Sequence, residues 1–296
     1  MSTPSFRLRA LTRTMRYIVK PKLRRTATPA KANRDFERAA PFIFSKPKGT
    51  CVEDAGPFAR VTFGEPDPNR AILYLHGGAF LTGSRRSYAA MAGRLAKRTG
   101  VAVYLADYPN LQDAPFPAAP DAALAAWDSL IATGFSPDQI VIAGDSAGGN
   151  LVFGLLAQLL GGGGRPAGAV AFSPWGDLTL SGETIAMNAA ADPLIPVSRM
   201  QEAVELYLNG ADPRDPRASP IYADYPAPPP VLVQVGADEV LLSDAKRLAD
   251  LTNAQLEIWP HVPHAWQVFD GRLPEANAAM GQAAKFIQTS FDKASR

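Results

Sequence analysis

Ser146 stands in Gly144-Asp145-Ser146-Ala147-Gly148, directly after the apolar run Gln139-Ile140-Val141-Ile142-Ala143. A Gly-x-Ser-x-Gly turn between a strand and a helix holds its serine in a strained conformation and projects the hydroxyl above the sheet edge. The flanking glycines follow from space, since a Cβ at either place would crowd the neighbouring strand and helix. Gly149 to Leu156 reads as a helix whose N-terminus faces the hydroxyl and favours negative charge there. Upstream, His76-Gly77-Gly78-Ala79-Phe80 closes a second apolar run, Ala71 to Leu75. Two glycine turns at strand ends suit attack on a carbonyl carbon.

A serine hydroxyl needs a base within hydrogen-bond reach, and the base needs an orienting acid. Three histidines make elimination practicable. His76 belongs to the glycine turn and is expected to brace that loop through hydrogen bonds. His261 and His264 follow the last apolar run, Leu256 to Trp259, where the chain order serine, acid, histidine puts the base. His264 is preferred because it precedes small Ala265 and the run that opens the last helix, whereas His261 directly follows Pro260. The acid is expected after Val231 to Val235, with Asp238 in front and Glu239 and Asp244 in reserve. The competing role for Asp238 is to cap a helix beginning near Ser243. The backbone N–H groups of Gly77, Gly78 and Ala147 are the expected oxyanion donors, each worth about 3–4 kcal/mol.

The elements that must position these residues follow a regular rhythm. Apolar runs at 59–63, 71–75, 101–106, 139–143, 169–173, 231–235 and 256–259 have the length of buried strands. Amphipathic stretches at 87–99, 118–133, 149–160, 243–251 and 275–291 lie between or after them. This alternation predicts an α/β fold with a mostly parallel central sheet flanked by helices. The first two runs leave no room for a helix between them and are expected to form an antiparallel edge. Two segments break the rhythm: the first 50 residues, and Asp177 to Tyr225, where a helical stretch, Val197 to Asn209, precedes a proline-rich tail. The division expected is a cap part at 1–50, core at 51–176, a cap insertion at 177–225 and core again at 226–296. The two cap parts are read as one lid whose apolar side chains include Phe6, Leu11, Met187, Leu206 and Tyr207. Gly161 to Gly164 is expected to be a surface loop.

Charge is unevenly spread. The 296 residues carry 30 basic and 28 acidic side chains, yet residues 1–38 hold eleven of the basic ones against Asp35 and Glu37 alone. Phe6, Leu8, Leu11, Met15, Ile18 and Leu23 recur there at roughly helical spacing, with arginines between them. Such a basic amphipathic helix packs over the protein's own cleft or makes peripheral contact with a membrane. Its longest apolar run, Tyr17-Ile18-Val19, is far too short for stable membrane insertion. Elsewhere the basic residues are scattered over an acidic body, so no nucleic-acid partner is expected. The single cysteine, Cys51, permits no internal disulfide and fits a cytoplasmic location. No cofactor is expected, and no metal either, since His261-x-x-His264 is broken by Pro260 and Pro263 and lacks further ligands. Gly144 to Asn150 lacks the lysine of a phosphate loop. An uncovered last strand leaves a homodimer open.

On these residues the chain resembles the hormone-sensitive-lipase family of esterases, within the α/β-hydrolase superfamily, over roughly residues 70–290. The matching segments are His76 to Phe80, Gly144 to Asn150, Tyr108 with Pro115-Phe116-Pro117, and Ser173-Pro174-Trp175-Gly176-Asp177-Leu178-Thr179. The resemblance implies an α/β-hydrolase fold with a helical cap, the triad Ser146, Asp238 and His264, and a preference for short- to medium-chain acyl esters. Three positions depart from the family pattern. Ala79 stands where a third glycine is common, and a negative φ is expected there. Glu239-Val240-Leu241 replaces Pro-Leu after the acid, and Ala265-Trp266 replaces Gly-Phe after the histidine, so that Trp266 either narrows the pocket or packs below it. Lactones are esters too, and the motif does not separate them. A non-catalytic receptor for a small ligand on the same fold is the competing class.

Overall fold

The computed structural model describes residues 3–295. Its core is one eight-stranded sheet. The strands are β1 Thr50–Asp54, β2 Phe58–Phe63, β3 Asp67–Leu75, β4 Val101–Ala106, β5 Ile140–Asp145, β6 Gly168–Phe172, β7 Val231–Gly236 and β8 Gln255–Trp259. They lie in the order β1-β2-β4-β3-β5-β6-β7-β8. From β4 to β8 every neighbouring pair is parallel. Every residue of β5, β6 and β7 is buried, as a sheet covered on both faces requires.

Two details depart from the sequence expectation. β2 and β3 do not pair; β2 runs antiparallel to β4, with Val61 opposite Val103, and β3 sits between β4 and β5. The fully buried stretch Ala71 to Leu75 is thereby hydrogen-bonded on both sides, which an antiparallel edge would not provide. β1, polar and mostly exposed, adds an edge strand against β2 that carries no apolar run to announce it.

Helices α4 Arg85–Thr99, α5 Ala118–Ala132, α6 Ala147–Gly161, α9 Leu242–Thr252 and α10 Pro274–Ala294 form where amphipathic stretches were expected. α5, α6 and α9 cover one face of the sheet, with Trp127, Leu130, Leu155 and Leu248 buried against Leu73, Ile142 and Val233. α4 and α10 cover the other, with Met91, Leu95, Ile287 and Phe291 packed on Ile72, Val103 and Val170. Each such side chain contributes roughly 1.5–3 kcal/mol when fully buried.

The N-terminal segment is helical too. α1 Phe6–Thr14 runs through a wider π turn, Met15–Val19, into α2 Lys20–Arg25, and α3 Pro29–Ile43 follows. Leu8 is buried beside Trp266 and Leu273, and Ser5 bonds Glu275 through its N–H and hydroxyl. The insertion carries α7 Glu183–Met187 and α8 Met200–Leu208. The two irregular segments grip each other. Arg16 donates to the carbonyls of Ala190 and Ala191, Lys20 to those of Ala189 and Asp192, and Arg199 to those of Arg24 and Thr26. Among the described residues, no helix is long and apolar enough to cross a membrane.

Candidate active site

Ser146 sits between β5 and α6 at φ 53° and ψ −117°, a conformation that L residues rarely adopt. The residues two positions away on either side, Gly144 and Gly148, are glycine because a side chain does not fit. A Cβ on Gly148 would lie 2.0 Å from the Leu75 carbonyl oxygen, and one on Gly144 would lie 2.6 Å from the same oxygen. The N–H of Ser146 donates to the Phe172 carbonyl at 2.9 Å, which ties the turn to the end of β6.

The glycine turn after β3 is held from below by Asp145. This buried carboxylate accepts bonds from the hydroxyls of Tyr74 and Tyr88 and from the N–H of Gly77, each at 2.9 Å. Burial raises the Asp145 pKa, and the two tyrosine hydroxyls oppose that rise. The first expected oxyanion donor is thus engaged, because the Gly77 N–H points at Asp145 rather than into the site. Among the described residues no acceptor takes the N–H of Gly78, Ala79 or Ala147. Ala79 also overturns its expectation: its φ is +54°, at a cost of about 1 kcal/mol, because the turn keeps a left-handed course through Phe80. His76 braces the loop as expected. Burial lowers its pKa to about 4, so the ring is neutral; its Nδ1–H donates to the Gly77 carbonyl at 2.9 Å. Tyr108 stacks on the ring with centroids 4.2 Å apart and donates its hydroxyl to the His76 carbonyl.

At the other end of the site the structure corrects the choice of acid. His264 is buried, and its Nδ1–H donates to Oε2 of Glu239 at 2.7 Å. Glu239 is fully buried, and its Oε1 accepts from the Gly236 N–H at 2.6 Å and the Ser173 hydroxyl at 2.7 Å. Asp238 instead points outward, half-exposed, 3.8 Å from the exposed ring of His261. The reserve Asp244 is also elsewhere. It accepts from the N–H groups of Gly176 and Asp177, and burial, with Asp177 nearby, raises its pKa to about 7. Burial alone would lower the pKa of His264; the Glu239 carboxylate outweighs it, helped by Asp192 and Asp145, and the net shift is upward.

One turn joins the two ends. The stretch from Phe172 to Trp175 receives the Ser146 N–H, offers the Trp175 N–H to the Ser146 carbonyl, and binds both Glu239 and the Ala265 N–H through the Ser173 hydroxyl. At the glycine turn after β3, Phe80 stacks on Tyr207 of the insertion at 3.8 Å, with Trp175 6.3 Å away. Trp266 is fully buried, with Trp259 5.7 Å away and Leu8 and Leu273 in the same cluster. The insertion also props the acid loop. Buried Asp192 accepts from the Val240 N–H at 3.1 Å, and Asn188 donates to the Glu239 carbonyl at 2.8 Å. The sequence pattern carries no signal for Asp192, marks Ala79 only as a departure from the family pattern, and places Glu239 second.

Known proteins share this architecture. A family model described as alpha/beta hydrolase fold matches residues 72–268. An acetyl-hydrolase of Streptomyces hygroscopicus is 37% identical over 227 residues, covering 75% of this chain and 76% of its own. An esterase of Acinetobacter venetianus is 36% identical over 232 residues, covering 75% of each chain. The crystal structure of an esterase from the bacterial hormone-sensitive lipase family superposes with a TM-score of 0.91 at 33% identity, covering 98% of this chain and 100% of the other. The chain belongs to the α/β-hydrolase fold family, within its hormone-sensitive-lipase group of esterases.

Proposed function

We propose that this protein is a serine carboxylic-ester hydrolase for short- to medium-chain acyl esters, with Ser146 as nucleophile, His264 as base and Glu239 as orienting acid in place of Asp238. The carrying observation is the 2.7 Å bond from His264 to a fully buried Glu239, within a site whose serine sits at a strained elbow. His264 Nε2 takes the hydroxyl proton as Ser146 Oγ bonds to the acyl carbon. The resulting oxyanion lies among the N–H groups of Gly78, Ala79 and Ala147, and the α6 N-terminus adds positive potential. Collapse breaks the bond to the alkoxide, which leaves with the proton from His264 as the alcohol. Water, deprotonated by the same imidazole, then releases the acid and restores Ser146. A lactone would follow the same steps with acid and alcohol on one product.

The tight stack of Phe80 on Tyr207 supports a small acyl site. The lone exposed Cys51 supports a reducing, cytoplasmic setting, and the β8 edge of the sheet offers the surface a homodimer would use. A series of p-nitrophenyl esters of rising acyl length tests the function. The expected maximum lies among the acetyl to hexanoyl esters, and Ser146→Ala removes about 10⁴-fold or more of kcat. Activity only on long, insoluble chains, or none on any ester, overturns the proposal.

A further inference from the structure

The N-terminal arm spends its cations in two ways. Those facing the body are used by the fold: Arg16 and Lys20 hold the insertion, and Arg7 donates to the Arg272 carbonyl. Those facing outward are not. Arg9, Arg13, Arg24 and Arg25 are exposed and make no ion pair among the described residues. No acidic residue precedes Asp35, so nothing along α1 and α2 offsets them.

The same outward face carries large apolar side chains. Phe6, Arg9, Arg13 and Tyr17 follow one another at steps of three and four residues, which puts them on one stripe of the helix opposite buried Leu8 and Met15. Phe6 is 77% exposed, Tyr17 73% and the adjacent Ile18 65%. Met187, 72% exposed, lies in the insertion just before the carbonyls that Arg16 and Lys20 hold. A helix that buries one apolar stripe in its own protein and shows aromatic and cationic residues on the other has no folding reason for the second.

We propose that this face docks on an anionic lipid surface, with Phe6, Tyr17 and Ile18 entering the headgroup boundary and Arg9, Arg13, Arg24 and Arg25 meeting lipid phosphates. Charge complementarity selects an anionic partner. The exposed phenylalanine and isoleucine favour a bilayer over a nucleic acid, whose backbone offers phosphates and no apolar layer. Because the arm holds the insertion, docking turns the cap side of the molecule toward the bilayer. The contact is peripheral, as neither helix is long enough to span.

Flotation of the full-length protein with vesicles of phosphatidylcholine, and with vesicles mixed with phosphatidylglycerol, tests the idea. Partition onto the mixed vesicles is expected, weak or absent on the neutral ones, and falling as salt rises. Each cation near the surface is worth about five-fold in partition, so Arg9→Ser with Arg13→Ser should lower it about 25-fold. Phe6→Ser with Tyr17→Ser should lower it as well. Both double variants should keep the thermal midpoint and the turnover of soluble p-nitrophenyl acetate, since none of these residues reaches the site. No partition, equal partition onto both vesicles, or binding untouched by the aromatic pair overturns the proposal. So does a dimer in light scattering that Tyr17→Ser splits, or single-stranded RNA bound more tightly than the mixed vesicles.

Discussion

The loop after β7 offers two carboxylates side by side, and the backbone aims them in opposite directions. The Glu239 N–H donates back to the Gly236 carbonyl at 3.2 Å, and this tight turn brings its side chain inward to the Gly236 N–H and His264. Asp238, one residue earlier, is left facing solvent and His261. Chain order and motif bring the serine and the histidine within reach of sequence reasoning, because each depends on a few neighbouring residues. The acid does not yield to it, since a shift of one position on a loop reverses the direction of a side chain. Replacing Glu239 with Gln should therefore lower kcat/KM about 10⁴-fold by removing the charge that orients and stabilises the imidazolium. Asp238→Asn should stay within a few-fold. The pH profile gives the sign independently. As the proposed base His264 acts when neutral, and its pKa is raised above the ordinary 6.5, so activity should rise as pH climbs through that raised value. In Glu239→Gln burial is left to dominate, and the residual activity should rise at lower pH. An unmoved acidic limb would contradict the pairing.

At the scale of elements, the site depends on how closely the end of β3 approaches the start of α6. The glycines that permit this approach are explicit in the sequence, as are the buried strands and amphipathic helices on either side. Gly148→Ala would place a methyl 2.0 Å from the Leu75 carbonyl oxygen, and no side-chain motion relieves a contact with backbone. The glycine turn and the elbow must separate, which displaces the oxyanion donors. The expected result is a lower thermal midpoint together with a fall in kcat of about 10²-fold, the scale of an ångström's misplacement. A wild-type kcat would mean that the approach is not needed. Less legible are contacts between elements far apart in the chain. Nothing local to β2 says that β4 is its partner, and nothing local to Asp192 says that it holds Val240 beside the acid. Such contacts depend on how the insertion folds back over the sheet, and periodicity within one element does not encode that.

The whole molecule joins a sheet scaffold to two irregular segments that fasten to each other. The parallel sheet brings the ends of β3, β5, β6, β7 and β8 to one rim, which is where the glycine turn, Ser146, the bridging turn, Glu239 and His264 lie. The irregular N-terminal and inserted segments fasten to each other through Arg16, Lys20 and Arg199. Their helical character is visible in the sequence. Their mutual grip is not, because it is made by side chains bonding to backbone carbonyls across the chain. We infer that this arrangement makes Ser146 alone a nucleophile. A p-nitrophenyl alkylphosphonate tests it most directly, because Oγ attack at phosphorus expels p-nitrophenolate and leaves a stable adduct. Mass spectrometry of the treated protein should find one adduct per chain, on the peptide containing Ser146, with activity lost in proportion to labelling. Full labelling at another residue, or full activity with Ser146 modified, would contradict the account.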